Sequence, residues 1–325
     1  MLCVKFEAQL KSRTGSGILG RMKPTEFSPY VGPSSASGAV SFSYDGNSGL
    51  RIEVSGLEEE VIVYGASDTH LALHDGRDNK HAGNYARMAQ WPGSTDGFAE
   101  MLSAAKHAKA DLVALTGDTI SFPSHANVEF VSRALRENEI DWVYTAGNHD
   151  WHFEGVAGSD VQQRAKWTQL RLLPLYPGKV DPLMYSKVVK GVRFVAIDNS
   201  VYHIAKKQLA FWRREAAKGD PTVLLMHVPL WVEGFGIYTC GNPSWGADSD
   251  EIWQIERRER WAPRQSPESF ALREAVLNTP NVVAVITGHI HRPLFACERG
   301  KFLFSMPSSA GGRHWTLRLV PAGRS

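Results

Sequence analysis

The sequence has few cysteines, almost no net charge and no long hydrophobic run. Its three cysteines, Cys3, Cys240 and Cys297, are odd in number and far apart, which argues against a disulfide framework and against a thiolate zinc site. The 36 basic and 34 acidic residues leave a net charge of +2, so there is no strong signal for nucleic-acid binding. The longest apolar stretch, around residues 223–231, is far shorter than the ~20 residues that a membrane helix needs.

The start of the sequence also lacks the apolar core of a secretion signal, because charged residues interrupt it. We therefore expect a cytoplasmic protein with no membrane partner. At 325 residues, of which 43% are hydrophobic, the chain is long enough to form one large domain or two modest ones.

The first 57 residues differ in composition from the rest. Residues 12–38 are rich in Gly, Ser and Pro and are expected to be a loop. Two alternating segments, Ala39–Tyr44 and Leu50–Val54, then flank a turn and predict a β-hairpin. We expect residues 1–57 to be an extended segment and hairpin packed on a main domain formed by residues 58–325.

From Val61 onward, short apolar strands alternate with amphipathic helices, which is typical of an α/β domain. The strands are apolar without strict alternation, as expected when both faces of a sheet are buried. Residues 231–268 break this pattern and hold four of the ten tryptophans, so this insertion is predicted to be a lid or binding element. The predicted strands are Val61–Tyr64, Leu112–Leu115, Trp142–Tyr144, Val192–Ile197, Thr222–Met226, Val282–Ile286, Lys301–Ser305 and Trp315–Val320, and the predicted helices are Phe98–Ala110, Val128–Arg136, Lys206–Ala217 and Ser269–Leu277.

Polar clusters follow five of the predicted strands. They are Asp68-Thr69-His70, Gly117-Asp118, Gly147-Asn148-His149-Asp150, His227 and Gly288-His289-Ile290-His291. Catalytic groups in α/β sheets gather at the carboxyl ends of strands, so we expect these side chains to meet there. Carboxylate, amide and imidazole groups are ligands for divalent cations. The set is too large for one ion but suits two ions if they share Asp118, which stands alone after a central strand.

Two cations ~4 Å apart would hold a hydroxide that attacks phosphorus in a phosphate ester. His149 is predicted to be the general acid that protonates the leaving oxygen, with Asp150 fixing its tautomer by a hydrogen bond. Taken singly, His227 could be a core histidine and Asp118 a helix cap. Arg292 could contact a phosphate oxygen, but an ordinary surface arginine is the favoured interpretation.

The five clusters, in this order, resemble the motifs of the calcineurin-like metallophosphoesterase superfamily over about residues 61–307. The resemblance implies a four-layer α/β/β/α sandwich of two mixed sheets, with a dinuclear metal site at the strand ends. It implies a first metal bound by Asp68, His70, Asp118 and His291, a second bound by Asp118, Asn148, His227 and His289, and His149 and Asp150 as the catalytic pair. The residues after Asp118 include no tyrosine, which disfavours the tyrosinate-ligated iron of the purple acid phosphatase branch.

The preferred function is therefore a metal-dependent hydrolase of phosphomonoesters or phosphodiesters. The substrate could be a small molecule, a nucleotide or a phosphoprotein, and the two divalent ions could be Mn, Fe, Zn or Mg. The alternative is a non-catalytic scaffold that keeps the fold to bind protein partners. All seven proposed ligands and His149 are present, so the sequence offers no missing residue in support of a scaffold.

Overall fold

The computed structural model of the protein describes residues 37–44, 47–81, 95–153, 156–230, 266–291 and 293–323. Three sequence predictions concern other residues: most of the loop at 12–38, most of the insertion at 231–268, and Arg292 all lie outside the described part. The last residues of the predicted insertion are described, and Pro267 and Glu268 form the first turn of a helix.

The described residues contain twelve strands, which form two six-stranded sheets. In spatial order, the first sheet contains β1 (Ser37–Tyr44), β2 (Ser48–Val54), β12 (Trp315–Pro321), β3 (Val61–Ala66), β4 (Leu112–Thr116) and β5 (Trp142–Thr145). The second sheet contains β10 (Leu294–Glu298), β11 (Lys301–Ser305), β9 (Val282–Thr287), β8 (Thr222–Leu225), β7 (Val192–Ile197) and β6 (Met184–Val189). Both sheets are mixed, because each combines parallel and antiparallel pairs.

The N-terminal hairpin belongs to the first sheet. Strands β1 and β2 pair antiparallel, and β2 then pairs parallel with β12. The other edge of β12 pairs antiparallel with β3, so β12 lies between the hairpin and the strand that precedes the first polar cluster.

Five helices of eight or more residues occur in the described part of the chain. They are α1 (Thr95–His107), α2 (His125–Asn138), α3 (Asp160–Trp167), α4 (Lys206–Ala216) and α5 (Pro267–Asn278). Helix α2 begins three residues earlier than predicted, because the Ser124 hydroxyl accepts a hydrogen bond from the backbone N–H of Asn127 and caps the first turn. Helix α3 was not predicted, and a capping box between Ser159 and Gln162 marks its start.

The core has two parts that lie on opposite faces of the second sheet. On β7, Val192, Phe194 and Ala196 belong to the large apolar core that the two sheets share. The intervening Val195 and Ile197 pack instead with apolar residues of α4 and α5. Both faces of β7 are therefore buried, which explains its apolar run from Phe194 to Ile197.

Helices α1 and α2 contribute to the core on the side of the first sheet, and α1 contacts β3 directly. The layers therefore run helix, sheet, sheet, helix, which confirms the predicted four-layer α/β/β/α sandwich. Among the described residues, no helix has the length and apolar character required to cross a bilayer.

Gly65 and Trp315 provide a test of the packing in the first sheet. The two residues are paired across β3 and β12, and a Cβ atom at Gly65 would overlap the buried Trp315 ring. We expect Gly65→Ala to lower the free energy of unfolding by about 1–3 kcal/mol, as overpacking typically does. Urea denaturation would measure this loss. Gly76→Ala is the matched control, because the atom nearest to its Cβ would be 3.9 Å away. Equal stability of Gly65→Ala and wild type would contradict the packing argument.

Candidate metal centre

The predicted site residues all directly follow strands. Four of these strands are internal in their sheets, and the fifth, β5, is an edge strand of the first sheet. Asp68 and His70 follow β3, Asp118 follows β4, the segment Asn148-His149-Asp150 follows β5, His227 follows β8, and His289 and His291 follow β9. Three of these strands belong to the first sheet and two to the second. The site therefore forms where the carboxyl ends of strands from both sheets meet.

A first group of ligand atoms consists of Asp68, His70 and His291, whose donor atoms all lie within 4.8 Å of one another. The Nε2 atom of His291 is 3.2 Å from Oδ1 of Asp68 and 3.1 Å from Nε2 of His70. Two imidazole nitrogens and a carboxylate oxygen thus converge on one point, as ligands of a single ion do.

A second group consists of Asp118, His227 and His289, again with donor atoms within 4.8 Å of one another. Oδ2 of Asp118 is 3.2 Å from Nε2 of His227. The same oxygen is 3.9 Å from Nε2 of His70, which belongs to the first group. Asp118 therefore lies between the two groups.

The orientation of the His227 ring is fixed from behind. Its Nδ1 atom is 2.9 Å from the carbonyl oxygen of Thr116, which can only accept a hydrogen bond. Nδ1 therefore carries a proton, and Nε2 faces Oδ2 of Asp118. A ring nitrogen held in this way by a backbone carbonyl is a common feature of metal-bound histidines.

Five of the seven proposed ligands have a left-handed backbone conformation. Their φ angles are 52° for Asp68, 53° for His70, 49° for Asp118, 72° for His289 and 56° for His291. Residues other than glycine adopt this conformation rarely and at an energetic cost. Such strain persists where the surrounding structure requires it, and here it falls on the residues that point into the site.

Gly147 is required because the loop after β5 passes very close to Asp118. A Cβ atom at Gly147 would overlap the carboxylate of Asp118. In the same loop, the backbone N–H of His149 donates a hydrogen bond to Oδ1 of Asp118 at 2.8 Å. This contact leaves Oδ2 directed towards His70 and His227.

The residues present fit a pair of divalent ions. Asp68 and Asp118 are completely buried, and in the described part of the chain their side-chain partners are imidazoles, the Ser67 hydroxyl and backbone N–H groups, with no lysine or arginine. Buried carboxylates need compensation of their charge. In addition, the Oδ1 atom of Asn148 is buried without a hydrogen-bond partner. Asn148 precedes His149, whose backbone N–H binds Asp118, and its unsatisfied amide oxygen is a suitable ligand for a metal ion.

His149 lies against the first group. Its ring centroid is 4.9 Å from that of His70 in an edge-to-face arrangement. One of its ring nitrogens is within 4.8 Å of the donor atoms of His70 and Asp118. The ring therefore borders the region in which a substrate would meet both groups of ligands.

The Asp150 carboxylate binds backbone N–H groups, whereas the sequence predicted a hydrogen bond to the His149 ring. Its Oδ2 atom accepts a hydrogen bond from the backbone N–H of Gly147 at 2.7 Å, and its Oδ1 atom accepts one from Ile120 at 2.9 Å. The carboxylate therefore ties the loop after β5 to the loop after β4, instead of holding the His149 ring. Its position inside the turn brings it within reach of these two N–H groups.

Burial and neighbouring charges displace several pKa values in the site. Burial, together with the nearby Asp118 carboxylate, raises the pKa of Asp150 to about 7. Burial lowers the pKa of His70 to about 4. At His227 burial acts in the same sense, but Asp118 outweighs it and raises the pKa to about 10. Conversely, burial would raise the pKa of Asp118, but His227 holds it well below its usual value.

Three polar residues outside the predicted set of ligands and catalytic residues support the site. The Ser67 hydroxyl donates to Oδ2 of Asp68 at 2.6 Å, and the Ser308 hydroxyl donates to the backbone carbonyl of Asp68 at 2.7 Å. Asn199 accepts a hydrogen bond from the backbone N–H of His227 at 3.1 Å. Their only sequence signal is that Ser67 and Asn199 stand next to strand ends.

Comparisons with known proteins identify the family. The family model for calcineurin-like phosphoesterases matches residues 63–293. No curated protein sequence matches significantly. Among solved structures, a dimetal phosphatase from Danio rerio aligns at 12% identity with a TM-score of 0.50, covering 78% of this chain and 89% of that one. A purple acid phosphatase from Lupinus luteus seeds aligns at 13% identity with a TM-score of 0.51, covering 88% of this chain and 52% of that one.

The chain therefore belongs to the calcineurin-like phosphoesterase family, as the order of its motifs predicted. It is a hydrolase that acts on phosphoric ester bonds. The two solved structures support the fold alone, and the chain spans about half the length of the lupin enzyme. The family implies a dimetal centre, in agreement with the two groups of ligand atoms.

The raised pKa of His227 predicts how the metal-free protein responds to pH. Its contribution to stability is fully present below its ordinary pKa of 6.5 and is lost as the pH rises through about 10. In excess chelator, the free energy of unfolding should therefore fall between about pH 6.5 and 10, and it should fall less in His227→Gln. Denaturation at several pH values would measure both slopes. Identical slopes would contradict the proposed protonation of His227 beside Asp118.

Proposed function

We propose that the protein is a dinuclear phosphoesterase in which Asp118 is shared by two metal ions. The observation that carries this proposal is the position of Oδ2 of Asp118, which is 3.2 Å from His227 and 3.9 Å from His70. These histidines belong to different groups of ligand atoms. The first ion would be held by Asp68, His70, Asp118 and His291, and the second by Asp118, Asn148, His227 and His289.

When bound, the two ions would activate water and polarise the oxygens of the phosphate ester. The protein itself contributes by positioning the ligands and by limiting the access of water. The strained loops hold the ligands in place before substrate arrives, so little reorganisation is needed during the reaction. The burial of both carboxylates also keeps bulk water away from the ligand atoms.

His149 is proposed to be the general acid. Its ring borders both groups of ligand atoms but is not required to complete either of them. In this position its ring N–H can donate a proton to the ester oxygen that departs with the alcohol. Asp150 supports this role indirectly, because its hydrogen bonds to Gly147 and Ile120 fix the turn on which His149 is carried.

Phosphomonoesters and phosphodiesters are both suitable substrates for this mechanism. Both classes contain the phosphorus atom and the departing ester oxygen on which it acts. The alcohol could belong to a small molecule, a nucleotide or a phosphoprotein. Manganese is our first choice for reconstitution, because oxygen and nitrogen ligands of this kind accept it together with Fe, Zn and Mg.

Replacing His149 should separate metal binding from catalysis. We expect His149→Ala to retain two Mn²⁺ ions per chain and to lose about 10²–10⁴-fold in kcat with aryl phosphate mono- or diesters. His107→Ala is the control, because His107 is an exposed residue of α1. The general-acid role would be wrong if His149→Ala hydrolysed these esters as fast as the wild type.

Replacing Asp118 tests the shared ligand. We expect Asp118→Ala to lose metal from both positions, whereas Asp68→Ala should lose it from the first position alone. Elemental analysis after reconstitution with Mn²⁺ and removal of excess ion would give about zero, one and two ions per chain for Asp118→Ala, Asp68→Ala and wild type. Two ions retained in Asp118→Ala would exclude the bridging assignment.

A further inference from the structure

The segment that follows β7, residues 198–202, contacts three of the loops that carry site residues, although it supplies none of the proposed ligands. We refer to it as the β7 loop. It contacts the His227 loop through Asn199, the His149 loop through Ser200, and the His289 loop through Tyr202. These contacts connect it mainly to the second group of ligand atoms.

Asn199 uses its whole side-chain amide to hold the backbone around His227. Its Oδ1 atom accepts hydrogen bonds from the N–H groups of His227 at 3.1 Å and Val228 at 3.0 Å. Its Nδ2 atom donates to the carbonyl oxygen of Val228 at 2.7 Å. Because Asn199 is buried, few other groups are available to replace these bonds. The backbone conformation at His227, just after β8, therefore depends on Asn199.

Tyr202 holds the other imidazole of the second group. Its ring lies edge to face with His289, with centroids 5.5 Å apart and an angle of 76° between the rings. It also packs with Val228 and Ile290, which are the neighbours of His227 and His289 in sequence. Tyr202 has a φ angle of 65°, an unusual conformation for an aromatic residue that is expected where the surroundings enforce it.

The β7 loop is itself anchored. Oδ1 of Asp198 accepts hydrogen bonds from the backbone N–H and the hydroxyl of Ser200, at 2.8 and 2.5 Å. The carbonyl oxygen of Asp198 accepts a bond from Gln208 of α4 at 2.6 Å. Ser200 in turn accepts a hydrogen bond from the indole N–H of Trp151, two residues after His149. The β7 loop is therefore bound to helix α4 on one side and to the second group of ligand residues on the other.

The first group is braced mainly by a different part of the chain, although the N–H of His289 also donates to Oδ2 of Asp68 at 2.9 Å. Ser67 and Ser308 bind the side chain and the backbone of Asp68, and the Ser309 hydroxyl accepts a hydrogen bond from the N–H of Ser67 at 3.1 Å. Ser308 and Ser309 come from the segment between β11 and β12, which is remote in sequence from the β7 loop.

We propose that the β7 loop, through Asn199 and Tyr202, is a positioning element for the second metal site and sets the affinity of that site separately from the first. The proposal rests on the proposed function, because it assumes two bound ions. It makes Asn199 and Tyr202 positioning residues, since each acts through a ligand and neither is itself one. Loss of a residue that orients a ligand typically weakens metal binding by 10–100-fold.

The experiment measures Mn²⁺ binding to the chelator-treated protein by titration calorimetry, with electron paramagnetic resonance to distinguish paired from single ions. Wild type should bind two ions. Asn199→Ala should bind one ion with unchanged affinity and the other about 10–100-fold more weakly, so that a single-ion spectrum appears at limiting Mn²⁺. Asn199→Asp should be intermediate, because its carboxylate can still accept from the two N–H groups but repels the Val228 carbonyl.

Asn281→Ala is the matched control. The Asn281 side chain also bonds three groups, Ala216, Asp220 and Thr222, but it lies just before β9, at the opposite end of that strand from His289. Both ions should bind to this variant as they do to wild type. A weakened second site in Asn281→Ala would mean that general destabilisation explains the effect, and would overturn the proposal.

Two single-site backgrounds assign the effect to one site. In Asp68→Ala, which retains the second site, addition of Asn199→Ala should weaken the remaining ion about 10–100-fold. In His289→Ala, which retains the first site, the same addition should have no effect. Equal effects in both backgrounds would overturn the proposal.

Tyr202 provides a second pair of variants that does not depend on Asn199. Tyr202→Phe should keep the affinity of wild type, since the ring contact with His289 remains, and Tyr202→Leu should weaken binding of the second ion.

If wild type binds no Mn²⁺, the proposed function fails. If wild type binds two ions and the Asn199 and Tyr202 variants change neither site, only the positioning role fails.

Discussion

The burial of two carboxylates at the junction of the two sheets is the constraint on which the site depends. Asp68 and Asp118 are inaccessible to solvent, so their charge must be compensated by neighbouring groups. The compensation comes from imidazoles on strands of both sheets and from backbone N–H groups at 2.8–2.9 Å. The two sheets contribute different ligands: both carboxylates follow strands of the first sheet, and three of the four ligand imidazoles follow strands of the second.

This constraint explains why the loops are conformationally unusual. Short loops that turn back into the site require positive φ at five ligands, and Gly147 must lack a side chain because Asp118 occupies the adjacent space. A structure that held these residues only for stability would have no reason to accept such strain. The strain and the concentration of buried charge fall on the same residues, and the family assigned to the chain accounts for both.

The sequence predicted the elements that have a strong local pattern. The hairpin of β1 and β2 was predicted from alternation, and β7, β8 and β9 from their apolar runs. Helix α3 was missed because its sequence is largely polar, and the edge strand β6 was missed because polar residues interrupt it. The insertion of β12 between β2 and β3 was not predicted, because it pairs segments at least 250 residues apart. For the site, the motif residues were identified by their order, whereas Asn199 and Tyr202 act across loops that no local spacing connects. The partners of Asp150 depend on the shape of one turn, which the residue types do not specify.

The location of β12 also affects how the chain can be assembled during synthesis. The hairpin of β1 and β2 contacts the rest of the first sheet through β12, whose residues 315–321 are translated after the other five strands described in that sheet. Until then the hairpin has no partner strand in that sheet, and β3 has one unpaired edge. Closure of the first sheet is therefore expected to be a late, long-range event, of the kind that slows folding and exposes strand edges to aggregation while the ribosome completes the chain.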